Sequence, residues 1–387
     1  MSETKPIAGT SAFQPDRVLI MTAAVILVVG LLMVASASIT LADKMTGNPF
    51  YYLEHQMAYA IVGLGCGFAV YLLPLSLWQR SNFLLLMLAL GMLAVVLVPG
   101  IGRQVNGSIR WVVLGPFRLQ VSEPARLLIL IYIAGYCVRR REELTSRFTG
   151  SLKPMLLLAL AALLLLAEPD FGAAMVLVAT VMAVLFFGGS RLRDFFLFLI
   201  LGAVGFIVLA VASPYRLDRI TGFLHPWSHP FDSGFQLTQS LIAIGRGGFF
   251  GVGLGESVQK LFYLPEAHTD FLFAVLAEEL GLLGCLVVIS MYLILTWRAI
   301  VIARHAAKKG LMFGAYLAFG LGLWIGLQAF INMGVNMGAL PTKGLTLPLM
   351  SYGGSSLIVI CTAIGMILRV DRETREGHSW MEREVVA

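Results

Sequence analysis

Apolar residues fall in ten long runs, at about 18–41, 57–73, 82–99, 121–138, 154–168, 171–188, 194–213, 270–297, 311–335 and 351–369. Most reach or approach the twenty or so residues that a helix needs to cross a bilayer core. The pattern predicts an all-α integral membrane protein of about ten transmembrane helices, with a long outward loop between spans seven and eight. One membrane domain then covers 18–369, its outer loop about 214–269, between polar tails at 1–17 and 370–387. The first tail is too charged and too long for a cleavable signal.

Composition agrees. The chain is 58% hydrophobic and 13% charged, with a mean hydropathy of +0.84, whereas soluble domains carry about 25% charged residues. Cys66, Cys137, Cys285 and Cys361 are scattered in or beside apolar runs without ligand spacing, so they read as small buried hydrophobes.

Charge assigns the sides. Arg80, Arg139-Arg140-Arg141, Arg147, Lys153, Arg191, Arg193, Arg298, Arg304, Lys308 and Lys309 fall in one set of short connections. Both tails belong to that set, which is cytoplasmic by the positive-inside rule. The outward connections nevertheless carry Arg103, Arg110, Arg118, Arg216, Arg219, Arg246, Lys260 and Lys343, with Arg126 just inside span four. About half can be accounted for as partners of Glu123, Glu168, Asp170, Asp218 and Asp232. The rest point to an anionic ligand at the outer surface, with phosphate the obvious chemistry.

The outer segment shows little strand alternation, and SGFQLTQSLIAIGRGGFFGVGLGES suits a re-entrant or interfacial helix followed by close backbone packing. Its Gly251, Gly253 and Gly255 follow no strand, which excludes a nucleotide loop.

Five polar clusters fall on the outer side. They are NGSIRW (106–111), SEPAR (122–126), EPDFG (168–172), LPEAHTD (264–270) and PTKGLTLPLMSYGGSS (341–356). Glu123 and Arg126 are spaced to pair at a helix start. Prolines and glycines forbid a continuous helix in the last cluster, and such backbone persists at membrane depth only when buried in protein or lining a watery cavity. Asp270 stands at a helix mouth, and Glu278 and Glu279 lie about two turns deeper. Charges there cost several kcal/mol, so they face a cavity or a partner. Thr269 or Asp270 could serve as a cap, but capping leaves the other two carboxylates unexplained. The helix dipole favours ionised Asp270 and desolvation opposes it, which leaves a carboxylate able to act as a base near neutral pH. His268 ranks second for that role. The cavity's substrate contacts are then Arg110 and Lys343, with Arg216 and Arg246 as further cations.

These motifs closely resemble the SEDS family (shape, elongation, division and sporulation) over nearly the whole chain, and PTKG at 341–344 looks like its division-type member. QVSEPA departs from the usual form at Val121 and Pro124 but keeps Glu123. The resemblance implies a peptidoglycan glycosyltransferase that polymerises lipid II at the outer face of the bacterial cytoplasmic membrane. Its essential aspartate matches Asp270, and Glu123, Trp111, His268 and Ser351 join the cations as candidate substrate contacts. It implies a class B penicillin-binding transpeptidase and other division-complex membrane proteins as partners, and a septal location. It implies no nucleic acid and no organic cofactor, with or without a divalent cation such as magnesium or manganese. The alternative is a lipid II flippase; concentration of polar residues on the outer half and the lack of a visible inverted repeat argue against it.

Overall fold

The structure, a computed structural model, describes residues 15–105, 108–114, 117–211, 221–228, 230–232, 234–341 and 344–376. Helices α1 (Arg17–Thr46), α2 (Tyr51–Leu72), the short α3 (Leu75–Arg80) and α4 (Asn82–Val96) come first. Strands β1 (Arg103–Val105), β2 (Ser108–Leu114) and β3 (Phe117–Gln120) follow. Then come α5 (Ser122–Arg139), the short α6 (Arg141–Ser146), α7 (Phe148–Ala167), α8 (Phe171–Phe187) and α9 (Leu192–Val211). The last four are α10 (Phe235–Gly247), α11 (Leu272–Lys308), α12 (Met312–Asn336) and α13 (Gly354–Glu376).

Among the described residues, six helices (α1, α2, α7, α11, α12 and α13) are long and apolar enough to cross a membrane, and α4 and α8 are shorter apolar helices. Many large apolar side chains stay exposed, among them Ile200 and Val204 on α9 and Leu286 and Leu293 on α11. That is the surface expected where the surrounding solvent is lipid. Inside, α2 and α13 approach closely. A Cβ on Gly67 would sit 2.6 Å from the Cys361 carbonyl oxygen, and one on Gly365 would sit 2.2 Å from the Gly67 oxygen. Small residues permit such contact between membrane helices, where dispersion replaces the hydrophobic drive.

Two details go beyond the expectation. The described residues are mostly helical, and the connection between α4 and α5 adds a small three-stranded antiparallel sheet in the order β1-β2-β3. Its strands pair Trp111 with Gln120 and Val112 with Leu119. The alternation of Arg110, Trp111 and Val112 is too short to announce itself beside long apolar helices. The eighth apolar run also does not end at 297. Its helix continues to Lys308, carrying Arg298 and Arg304 on helical turns instead of in a loop. Arg298 pairs with Asp16 there, and Lys308 in the last turn complements the helix dipole.

Gly281 breaks α11, with φ 66° and ψ −166°. The freed backbone groups are taken up by the glycine-rich chain after α10. Leu282 and Leu283 donate to the carbonyls of Gly248 and Phe249, while Val252 and Gly253 donate to those of Glu278 and Glu279. A Cβ on Gly281 would fall 2.3 Å from the Gly251 nitrogen. Glycine is thus required both by the left-handed φ and by the close approach.

Candidate active site

Asp270 lies just before α11, partly exposed, in a chain whose peptide groups are fixed by α12. Its carbonyl oxygen accepts from Asn332 Nδ2 at 2.8 Å and from Asn336 Nδ2 at 3.0 Å. Asn336 Oδ1 in turn accepts from the Ala274 N–H at 3.1 Å, capping α11 from another helix. Thr269 turns back onto the Glu266 carbonyl and carboxylate. Asn332 also donates to the Leu345 carbonyl at 2.6 Å, and a Cβ on Gly344 would sit 3.1 Å from Asp270 Oδ2. The aspartate therefore abuts the broken segment between α12 and α13.

Other polar clusters reach that same segment. Ser122 Oγ donates to Asp170 Oδ2 at 3.0 Å, and the Gln120 N–H donates to Ser355 Oγ at 2.8 Å. Gly172 packs on Leu345. Buried Arg126 pairs with Glu123, donates to Gln328 Oε1 at 3.2 Å and lies 5.2 Å from the Trp324 ring centroid. Gln328 Nε2 donates to the Thr346 carbonyl at 3.0 Å. The Pro124 that departs from the family form is accommodated because it occupies the first turn of α5, where no intrahelical N–H is lost.

Arg110 on β2 reaches the same corner. Its Nη1 lies 3.7 Å from Asp170 Oδ2, and its Nη2 donates to the Pro169 carbonyl at 3.3 Å. Glu168 beside it is 0% exposed, with neither carboxylate oxygen bonded among the described residues. Burial, reinforced by the negative charge of Asp170 and opposed by Arg110, pushes its pKa up to about 8.

Glu278 and Glu279 are bound differently. Glu278 accepts from Ser257 Oγ, from the Val258 and Gln259 N–H groups, and from Arg246 Nη1 at 3.2 Å. Glu279 accepts from Ser36 Oγ and from Lys260 Nζ at 3.0 Å. Lys260 also donates to the Gly255 carbonyl. These carboxylates clamp the stretch after α10 onto α11 and α1. Arg246 therefore has a carboxylate partner in the protein.

His268 is 8% exposed, its ring centroid 4.6 Å from that of Tyr52 and 5.6 Å from that of Tyr352. Its carbonyl accepts from the Tyr352 N–H, and burial lowers the imidazole pKa against an opposing effect of Glu266. Ser351 is buried, its Oγ accepting from the Leu347 N–H and its carbonyl from Gln56 Nε2. Trp111 is partly buried on β2. Lys343 and Arg216 lie outside the described residues. Gln56 and Gln328 carry no charge and no motif spacing that would single them out in sequence, yet they join the clusters. Among the described residues, no three His, Cys, Asp or Glu side chains converge to hold a metal.

A family profile described as FTSW_RODA_SPOVE, cell cycle protein, matches residues 16–376. The chain belongs to this FtsW, RodA and SpoVE family. Relatives in the family include the probable peptidoglycan glycosyltransferase FtsW of Thioalkalivibrio sulfidiphilus, 58% identical over 94% of this chain and 90% of its own length. That of Nitrosococcus halophilus is 55% identical over 96% of each chain. Among solved structures, a chain from work on structural coordination of polymerization and crosslinking by a peptidoglycan synthase complex is similar with a TM-score of 0.78. It shares 29% identity, covering 95% of this chain and 99% of that one. The rod shape determining protein RodA of Thermus thermophilus is similar at a TM-score of 0.69 and 28% identity, over 94% and 99% of the two chains. Family membership and several spanning-length apolar helices make this a multi-pass membrane protein.

Proposed function

We propose that the chain is a peptidoglycan glycosyltransferase that polymerises lipid II at the outer face of the cytoplasmic membrane during cell division. Relatives at 50–58% identity over most of the chain are named for that activity. The observation that carries the reading is Asp270, partly exposed against Gly344, with its peptide held by two asparagines of α12.

In this reading Asp270 takes the proton from the acceptor sugar's 4-hydroxyl as that oxygen bonds to the donor's anomeric carbon. The bond from that carbon to the lipid pyrophosphate breaks, and inversion turns an α linkage into a β-1,4 glycan. Arg110 and Lys343 meet the charge of the departing pyrophosphate, a role suited to fixed cations in a site shielded from water.

The same reading assigns ten of the helices to the membrane: α1, α2, α4, α5, α7, α8, α9, α11, α12 and α13. Both tails and the Arg139–Arg141 connection are cytoplasmic, and the sheet and the stretch before α11 lie outside. A class B penicillin-binding transpeptidase cross-links the product, and both work with other division-complex proteins at the septum.

The test uses purified wild type and Asp270→Asn, each mixed with lipid II in detergent, where translocation has no meaning. Glycan on a gel from wild type and essentially none from the variant is the expected result. No polymer from wild type, even with its transpeptidase present, overturns the proposal in favour of a transporter.

A further inference from the structure

Gln328, Asn332 and Asn336 follow one another on α12 at four-residue steps, and all three are buried. Positions so spaced lie on one face of a helix. Amides inside a membrane bundle usually hydrogen-bond one helix to the next. Here the donors go elsewhere. Gln328 Nε2 donates to the Thr346 carbonyl, and Asn332 Nδ2 to the carbonyls of Leu345 and Asp270. Asn336 Nδ2 donates to the Asp270 carbonyl as well. These acceptors belong to two stretches of non-helical backbone, the approach to α11 and the broken segment before α13. One stripe of a rigid helix thus holds both stretches.

Asn332 is the rung common to the two. Its one nitrogen meets the Asp270 carbonyl at 2.8 Å and the Leu345 carbonyl at 2.6 Å. Its Oδ1 is buried and accepts nothing among the described residues. An unmatched buried acceptor is costly, yet turning the amide over would set that oxygen against two carbonyl oxygens. What Asn332 offers is therefore its pair of donors. The neighbouring rungs have further duties. Asn336 Oδ1 accepts from the Ala274 N–H, and Gln328 Oε1 accepts from Arg126 Nη1 and Trp324 Nε1. Replacing either would disturb a helix start or a buried cation, whereas Asn332 side-chain bonds go only to the two stretches.

The junction that Asn332 spans is the one at the candidate base. A Cβ on Gly344 would sit 3.1 Å from Asp270 Oδ2, so the carboxylate and the broken segment face each other across a narrow gap. We infer that Asn332 is a positioning residue for glycosyl transfer, acting through the Asp270 peptide to hold the base at a fixed distance from the segment at 344–346. This rests on the polymerase reading of Asp270. A general base works only within hydrogen-bond reach of the hydroxyl that it deprotonates. Asn332 touches neither substrate nor reacting atom. Its effect is to keep the gap from changing when the acceptor sugar enters.

Full-length wild type and variants, purified and mixed with lipid II in detergent, test the inference by separating kcat from KM. Asn332→Leu removes both donors at nearly constant volume. Its kcat should fall about ten- to a hundredfold, the scale of a misplacement near 1 Å, while KM stays within about threefold. Thermal unfolding checks that the protein is folded. Asn332→Asp keeps the shape, and burial beside two carbonyl oxygens opposes its ionisation. Its protonated form has one O–H donor and its ionised form has none. Its kcat relative to wild type should therefore rise about threefold or more as pH falls from about 8 to 6. The same ratio for Asn332→Leu should stay level. A side chain that only filled space would give neither the kcat–KM split nor the pH dependence. Should Asn332→Leu not fold, Asn332→Asp carries the test alone. The inference is overturned by a kcat within about twofold of wild type in folded Asn332→Leu, or by a rise in KM alone. Parallel pH profiles for Asn332→Asp and wild type also overturn it. Each of those results leaves the polymerase reading standing, because wild type still makes glycan; no polymer from wild type fails both.

Discussion

Two sets of carboxylates lie within nine residues of each other around the start of α11, and the protein treats them in opposite ways. Glu278 and Glu279 are buried, with Ser257, Arg246, Ser36, Lys260 and two backbone N–H groups donating to them. Asp270 is anchored through its carbonyl oxygen, while the residue stays partly exposed beside a loop. A carboxylate enclosed by donors has its oxygens already engaged and has no proton-transfer partner to reach. One fixed by its backbone can meet a substrate without its position changing. Depth in an apolar run identifies both sets as unusual; burial separates the enclosed pair from the partly exposed aspartate.

Substitution should separate the two sets, beginning with the largest effect. Asp270→Asn removes the proton acceptor yet keeps the shape and the backbone bonds, so polymerisation should fall about 10²–10⁴-fold. Its thermal unfolding should stay close to wild type. Glu279→Ala should do the reverse. It leaves the Lys260 ammonium buried without its carboxylate, and breaking such a pair costs about 3–5 kcal/mol. The unfolding temperature should drop while turnover per folded molecule changes only a few-fold. A stable Glu279→Ala protein with no activity would place that carboxylate in the chemistry and erase the distinction.

The apolar helices were legible because each is a continuous hydrophobic run, and lipid imposes that on any helix it surrounds. What escaped depended on partners remote in sequence. Nothing around Gly281 announces a break, since the repair comes from Gly248 to Gly253, about thirty residues earlier. Asn336 caps a helix that starts 64 residues before it. The sheet at 103–120 escaped because its strands are three to seven residues long. At the site, LPEAHTD, EPDFG and PTKGLTLPLMSYGGSS were visible as polar stretches between apolar runs, and Arg110 as a cation kept against the topological trend. Gln328 was not, because a neutral polar side chain in an apolar run carries no charge signature. Arg246 shows the converse limit. It read as an outward cation available to a ligand, and Glu278 holds it.

Glu168 sharpens the comparison from a third position: a buried carboxylate with no donor among the described residues. Its pKa is raised from 4.5 to about 8 in the fold. The folded state therefore binds the proton more tightly than the unfolded one, and the resulting stability is complete below about pH 4.5. Stability is lost as pH rises through 8, at up to about 1.4 kcal/mol per unit within that window. Glu168→Gln cannot ionise. It should match wild type near pH 5 and unfold at a higher temperature than wild type at pH 8. A constant difference between the two proteins across that range would mean that Glu168 is ionised and bonded in the fold.

His268 should show the smallest effect. It is the second candidate base beside Asp270, and burial lowers its imidazole pKa against an opposing effect of Glu266, which favours the neutral ring. Neutrality alone would qualify it, since a neutral ring can accept a proton. Geometry disqualifies it, because the ring packs against Tyr52 and Tyr352 and the residue is almost wholly enclosed. A general base must come within hydrogen-bond reach of the hydroxyl it deprotonates. What the ring contributes is aromatic packing, worth about 0.5–1.5 kcal/mol for a well-placed pair, and phenylalanine can supply most of it. His268→Phe should therefore keep turnover within about threefold of wild type, with no change in its dependence on pH between 6 and 8. A loss of a hundredfold or more in a folded His268→Phe protein, alongside an active Asp270→Asn, would transfer the base to the histidine. Loss in both variants would mean that the two residues work as a pair across the Tyr352 backbone, which donates to the His268 carbonyl.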